Sequence, residues 1–351
     1  MLVYLKDFFS LLTRRVIGSI LVTIGTVTII FFISHVLNPD PARLWAGPRA
    51  RESTILAVAA RYHLNEPIYL QYYYFMRDLV TGNFGIDPLT GQTILSEIRF
   101  YLPNTLELVL FSFAILVIVG VGLGYFAGMR FSTLGDSIVR IIYLTSWSTP
   151  MYLAAIVAIL LFAHYIPLFP SGGMYSLALT PVQNITGFFL LDALLELNFS
   201  AFLSGIQHLI LPACVLALVN FGLVSRAVRS SILNVRWSTY VKTARAKGLK
   251  ERDVKRKHIL RNALIDATSL SAVLFGWVLT STVVVEELFA WPGLGQFAYQ
   301  AIYANDYPVL IPVVIVFTVG VIAANFVADV AYSLLDPRIA MGAQSGSITE
   351  I

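Results

Sequence analysis

The residues able to do covalent chemistry are few and far apart. The chain of 351 residues has one cysteine, Cys214, inside an apolar run, and five scattered histidines, so no nucleophile, base or metal-ligand set assembles. A single thiol builds neither an intrachain disulfide nor a thiolate metal site, and Cys214 is expected to pack as a small apolar residue. The phosphate-cradling pattern G-x-x-x-x-G-K-[ST] is absent, which excludes ATP binding in that mode. No catalytic residue, metal or cofactor is therefore expected within this chain.

Carboxylates are just as sparse inside the apolar runs. Glu107, Asp266 and Asp329 lie near run ends, and His35 and His208 toward the outer ends. An ion-coupled carrier would keep such groups near the membrane midplane, where they are costly and persist for function. Asp266 is expected to serve helix packing or the interface, and the two histidines to make ordinary hydrogen bonds. The most polar apolar run holds Thr268, Ser269, Ser271 and Thr280 to Thr282, followed by Glu286 and Glu287. Thr268, Ser271, Thr280, Thr282 and Glu286 are the candidates for a solute path, although the hydroxyls do not form one stripe.

The densest chemistry is cationic. Between Arg226 and Asn262 stand twelve Lys and Arg against Glu251 and Asp253, half of the 24 basic residues in about a tenth of the chain. Charge alone fits a cytoplasmic loop lying against anionic headgroups, and a nucleic-acid partner does not suit a membrane location. Pattern adds more. Tyr240-Val241-x-Thr243-Ala244-x-Ala246-x-Gly248 is a helical stripe of small residues closed by a glycine suited to a C-cap, with Leu249 after it. Small residues on an exposed helix suit the groove of a partner protein.

The elements that position these residues are set by composition. Hydrophobic residues make up 57% of the chain and charged residues 13%, with a mean hydropathy of +0.76, a balance that lipid solvates. Six nearly charge-free runs reach membrane-spanning length: Val16–Leu37, Leu108–Met129, Ile141–Phe162, Leu209–Ser225, Ala267–Val285 and Pro308–Ala328. None alternates with period two, so helices rather than a barrel are expected. The first run follows Arg14 and Arg15 but exceeds a signal-peptide core and lacks a cleavage site, so it is expected to be retained. With the N-terminus inside, six spans place both termini in the cytoplasm. Only six basic residues then lie outside, all in Asn38–Pro103, where six acids balance them, and loops 164–207 and 286–307 hold no Lys or Arg.

Residues 38–103 are too polar to cross a membrane and are expected to fold as a small extracytoplasmic unit, with a helix over Ser53–Tyr62 capped by Ser53. Ile185–Leu197, interrupted by Asp192 and Glu196, predicts an amphipathic helix at the outer surface. Asn184 and Asn198 head N-x-S/T sequons that are expected to be chance occurrences. Gly120, Gly124 and Gly128 line one helix face for close packing. Trp291-Pro292-Gly293 predicts a break as the fifth run emerges, and Asp306 and Tyr307 a cap and an interfacial anchor before the sixth. The expected divisions are 1–37, 38–103, 104–338 with the loop 226–262 inside it, and a flexible tail over 339–351.

TARAKG, followed by Val254, His258 and LRNAL, resembles the "EAA" coupling loop of ABC import permeases in its peptide/nickel version. Lys242 and Thr243 replace the general Glu-Ala, although Thr-Ala is how the peptide branch commonly writes it. NPDPA from Asn38 resembles that family's PGDPA, with Asn38 in place of the usual glycine-containing turn. YHLNEPIYLQY, GNFG, LPNTLEL, EELFAWPGLG, NDYP and DPRI follow in the family's order across nearly the whole chain. The resemblance implies an all-α integral membrane protein with the type I ABC importer permease fold, of the first-permease kind. It implies a coupling helix at Tyr240, Thr243, Ala244, Ala246, Gly248 and Leu249 that docks on an ATP-binding subunit. It further implies a prokaryotic cytoplasmic membrane, a sister permease, two ATP-binding subunits that hold ATP and magnesium, and an extracytoplasmic solute-binding protein. The expected solute is a di- or oligopeptide, with di- or oligosaccharide and then nickel as alternatives. An ion-coupled secondary transporter and a membrane enzyme are the rival classes.

Overall fold

The computed structural model describes the backbone of residues 2–35, 40–47, 50–87, 89–304 and 306–335. Asn38, DPRI and the tail 339–351 lie outside the described residues, as do the side chains of His35, Asp266, Ser269 and Asp329.

Helices account for all the regular structure among the described residues, apart from one isolated bridge between Ile86 and Thr93. In chain order they are α1 (Leu2–His35), α2 (Pro41–Ala46), α3 (Glu52–Arg61), α4 (Ile68–Thr81), α5 (Ile94–Met129), α6 (Leu134–Ser148) and α7 (Met151–Ile159), which runs on as a π-helical turn over Leu160–Tyr165. They continue with α8 (Phe189–Leu195), α9 (Phe199–Arg236), α10 (Thr239–Ala246), α11 (Glu251–Asp253), a π-helical segment over Val254–Leu260, α12 (Arg261–Leu288), α13 (Leu294–Ala304) and α14 (Tyr307–Leu335). The chain is a multi-pass membrane protein. Val16–Ile33, Ile94–Met129, Phe199–Arg236 and Tyr307–Phe326 are each long and apolar enough to cross a bilayer. The 28-residue α12 contains the expected fifth run.

The third span is not one straight helix. Helices α6 and α7 meet at 106°, because Pro150 lacks an N–H and Thr149 before it is extended at φ −85°, ψ 123°. The boundary expected at Pro103 falls inside α5, which starts at Ile94 and carries Pro103 within it. A proline is tolerated there because packing against neighbours can compensate the lost backbone bond in a membrane helix. Ser53 is not a cap: α3 begins at Glu52, and Arg51 precedes it with no side-chain bond to the helix.

The centre of the bundle is the α5–α9 pair. A Cβ added at Gly120 would lie 2.8 Å from Val224 Cβ, at Gly124 2.6 Å from the Ser225 carbonyl, and at Gly128 2.9 Å from Ile232 Cβ. The glycine stripe thus brings the two helices to backbone contact, as expected. The segment between α1 and α5 packs on α1 and α14, where Val27, Trp45, Ile311 and Ile315 form a small core. Tyr72 of α4 packs edge-on against Phe31 and meets the Thr28 hydroxyl at 2.8 Å. The amphipathic helix expected over Ile185–Leu197 shrinks to α8, and Asp192 turns inward instead of marking a polar face. Asn198 caps α9 by accepting from the Ala201 N–H.

Candidate functional site

Helix α10 hangs below α9 after only Trp237 and Ser238. Gly248 stops it as expected. Its φ is +75°, and its N–H donates to the Arg245 carbonyl while that of Leu249 reaches Ala244 at 3.4 Å. No atom lies within 4 Å of a Cβ placed on Gly248, so glycine is needed here for conformation rather than for space.

One face of α10 is committed to its own chain. Val241 (0% exposed) and Ala244 (5%) are buried in the core that also contains Ile232 of α9, Val254, Ile259 and Ala263. Ala244 is therefore not on the outer docking stripe, and that expectation is corrected. The i, i+3 spacing of Val241 and Ala244 was the available signal for an inward face. Tyr240, Thr243, Ala246, Gly248 and Leu249 remain exposed. Trp237, 62% exposed and with Arg236 over its ring at 5.0 Å, extends this surface and was missed in the motif. Arg245 forks onto Glu251 with both distances at 3.2 Å, which steadies the turn after α10 and holds the Glu251 carboxyl below its usual range.

A second feature lies between α5, α12 and α14. A cleft of about 1240 Å³, almost wholly apolar, is lined by Phe113 and Val121 of α5, Thr268, Ser271 and Phe275 of α12 and Phe317 of α14. Of the five path candidates, Thr268 and Ser271 face this cleft. The Ser271 hydroxyl donates to the Ala267 carbonyl, and Thr280 and Thr282 likewise donate to Gly276 and Leu279. These hydroxyls satisfy α12 itself, as is common within helices. Thr280, Thr282 and Glu286 do not line the cleft.

Glu286 belongs to a buried knot at the end of the bundle away from the basic loop. Its carboxylate accepts from Thr105 Oγ1 at 2.7 Å, from the Gly295 N–H at 2.7 Å and from the Gln296 N–H at 3.1 Å. Thr105 accepts in turn from the Leu294 N–H, Asn104 Nδ2 donates to the Pro292 carbonyl, and Trp291 Nε1 donates to the Asn104 carbonyl. Glu286 is buried and clamps the break at Trp291-Pro292-Gly293 onto α5. Gly293 and Gly295 leave the room, since a Cβ on either would come within 2.8 Å of that carboxylate. His208 makes an ordinary bond to the Ser204 carbonyl, as expected, and Asp306 accepts from the Val309 N–H as a cap.

Residues 120–341 match the family model described as "binding-protein-dependent transport system inner membrane component", and residues 8–89 match that of its N-terminal membrane component. The chain belongs to this permease family. The permease is 37% identical over 335 residues to the "Probable D,D-dipeptide transport system permease protein DdpB" of Escherichia coli, covering 95% of this chain and 98% of the relative. It is 32% identical to the dipeptide transport system permease protein DppB of Alkalihalophilus pseudofirmus, covering 93% and 98%. It is 31% identical to the oligopeptide transport system permease protein AppB of Bacillus subtilis, again over 93% and 98%. The fold is that of type I ABC importer permeases, and the chain is a transport subunit.

Proposed function

We propose that this permease forms the translocation pathway of an ATP-driven importer of di- or oligopeptides, in a prokaryotic cytoplasmic membrane with both termini inside. The names of its relatives support peptides over the sugar and nickel alternatives. The observation that carries the coupling role is the division of α10 into two faces. Val241 and Ala244 seat it on the bundle, while Trp237, Tyr240, Thr243, Ala246 and Leu249 stay open at the end that carries the basic loop. An exposed aromatic and small-residue surface on a rigid mount fits a groove on another subunit.

In this scheme two ATP-binding subunits hold the nucleotide and magnesium, and each docks on one such surface. One surface belongs to this chain and the other to a sister permease. Closure of the ATP-binding subunits shifts the pair from inward-open to outward-open, so that a solute-binding protein can deliver its cargo from outside. Lipid surrounds the rest of the bundle, and no nucleic acid takes part.

The test is affinity purification of the assembled transporter from mild detergent, with wild type beside Tyr240→Glu. Wild type is expected to bring down ATP-binding subunits, a sister permease and a binding protein with its solute. Tyr240→Glu should lose the ATP-binding subunits while remaining inserted and paired with the sister permease. Full retention in that variant, with normal uptake, would remove α10 as the docking surface.

A further inference from the structure

A displaced α10 can reach the membrane helices by two routes. One is directly up α9, and the other is through α11 and the π-helical segment into α12. The α9 route is stiff, because the Gly120, Gly124 and Gly128 seam joins α9 to α5 at backbone contact. Helix α6 is held less firmly. Only Asp136, Val139 and Tyr143 among its fifteen residues are buried. Contacts farther along it are small: Gly222 of α9 sits under the Tyr143 carbonyl, and Ser146 Oγ donates to the Leu218 carbonyl.

At the end of α6 nearest α10 the attachment is of another kind. Arg229 of α9 forks onto Asp136, with Nε to Oδ1 at 2.6 Å and Nη2 to Oδ2 at 2.8 Å. Asp136 is 1% exposed and also accepts from the Ser132 N–H at 3.1 Å. The guanidinium lies 5.6 Å from the centroid of the Phe131 ring. Two turns farther down the same face of α9, Arg236 donates to the carbonyl of Gly128 near the end of α5. A two-bond fork between planar groups fixes angle as well as distance, which a single hydrogen bond or a Lys cannot do. The carboxylate of Asp136 is shielded from solvent, while the Arg229 side chain is 16% exposed.

We propose that Asp136 and Arg229 are a positioning pair for transport, carrying movement of α10 and the foot of α9 into α6, the first arm of the bent third span. The proposal rests on α10 being the surface that meets the ATP-binding subunit. Helix α6 ends at the Thr149–Pro150 break, so rotation imposed at its Asp136 end changes the direction in which α7 leaves it. The pair touches no solute and no nucleotide; it acts through the helix it orients.

The complete transporter, reconstituted in liposomes with its co-purifying binding protein, provides the test. ATP hydrolysis is measured with and without that binding protein, and bound ATP-binding subunits are quantified in the same preparations. Asp136→Asn removes the charge, and Arg229→Lys keeps the charge but loses the fork. Both are expected to retain the ATP-binding subunits while stimulation by the binding protein falls about tenfold, within the usual range of coupling between distant sites. Stimulation equal to wild type in Arg229→Lys would overturn the proposal. So would stimulation that declines only in step with the amount of assembled complex, since the pair would then be a structural brace. Tyr240→Glu, run alongside, separates the two ideas: it loses the subunits if α10 docks them, whereas the pair variants keep the subunits and lose the response.

Discussion

At the end of the bundle away from the basic loop Glu286, Asp192 and Glu107 accept mainly from backbone N–H groups, whereas at the end that carries the basic loop Asp136 and Glu251 pair with arginines. Asp192 gathers the N–H groups of Ile185, Thr186 and Gly187, and Glu107 accepts from Leu190. The difference follows from charge distribution. Loops 164–207 and 286–307 contain no Lys or Arg, so buried carboxylates there have only N–H and hydroxyl donors to satisfy them. A carboxylate bonded to consecutive N–H groups fixes the path of a loop. A carboxylate forked by arginine fixes the angle between two helices and leaves the surface beyond it open. The end away from the basic loop is thus tied by its own backbone, and the basic end by arginine forks that leave one face of α10 exposed.

Removing Glu286 breaks the comparison most severely. Glu286→Ala leaves the N–H groups of Gly295 and Gln296 and the Thr105 hydroxyl without their acceptor. At about 1–3 kcal/mol for each buried donor left unmet, a loss on the order of 4 kcal/mol is expected. Thermal unfolding of the purified complex should show it, with Glu286→Gln milder, and an unchanged melting temperature would make the knot dispensable.

A middle-sized effect is expected from pH. Burial pushes the Asp306 carboxyl up to about 7; Asp87 and Glu97 facing it add to the rise, and the Val309 N–H opposes it. Because the folded value lies above the unfolded one, the stabilisation present below about pH 4 is lost as pH rises through about 7. Melting temperature should therefore fall between those limits, and Asp306→Asn should flatten the decline. Parallel pH curves for the two proteins would rule out Asp306 as the source.

The smallest effect is expected at the basic end. Arg245 and Glu251 are both substantially exposed, and exposed pairs contribute about 0–1 kcal/mol after screening. Glu251→Gln should leave unfolding nearly unchanged at ordinary salt. A large loss of stability would mean that this turn is held chiefly by its charge pair.

Four of the six expected spans, the basic loop, the glycine seam and the Gly248 stop were legible because each depends on neighbours along one helix or on a bulk preference for lipid or water. The exceptions share one cause. Pro103 looked like a boundary and lies inside α5, because packing in a membrane bundle can tolerate a missing N–H. Ala244 looked like a docking residue and faces inward, since Val254 and Ile259 return beneath it.

Amino-acid order alone was enough to read a multi-pass helical membrane protein and to locate its basic loop, because hydropathy and charge are local quantities, while the permease and its coupling helix at 240–249 were expected from the resemblance of its motifs to a family. The roles of Glu286, Asp136 and Ala244 had to wait for folding. Thr105 lies 181 residues from Glu286 and Arg229 lies 93 from Asp136. Whether a carboxylate clamps a loop, orients a helix or faces a solute depends on which donors the packed helices bring within 3 Å of it, and spacing along the chain does not carry that information.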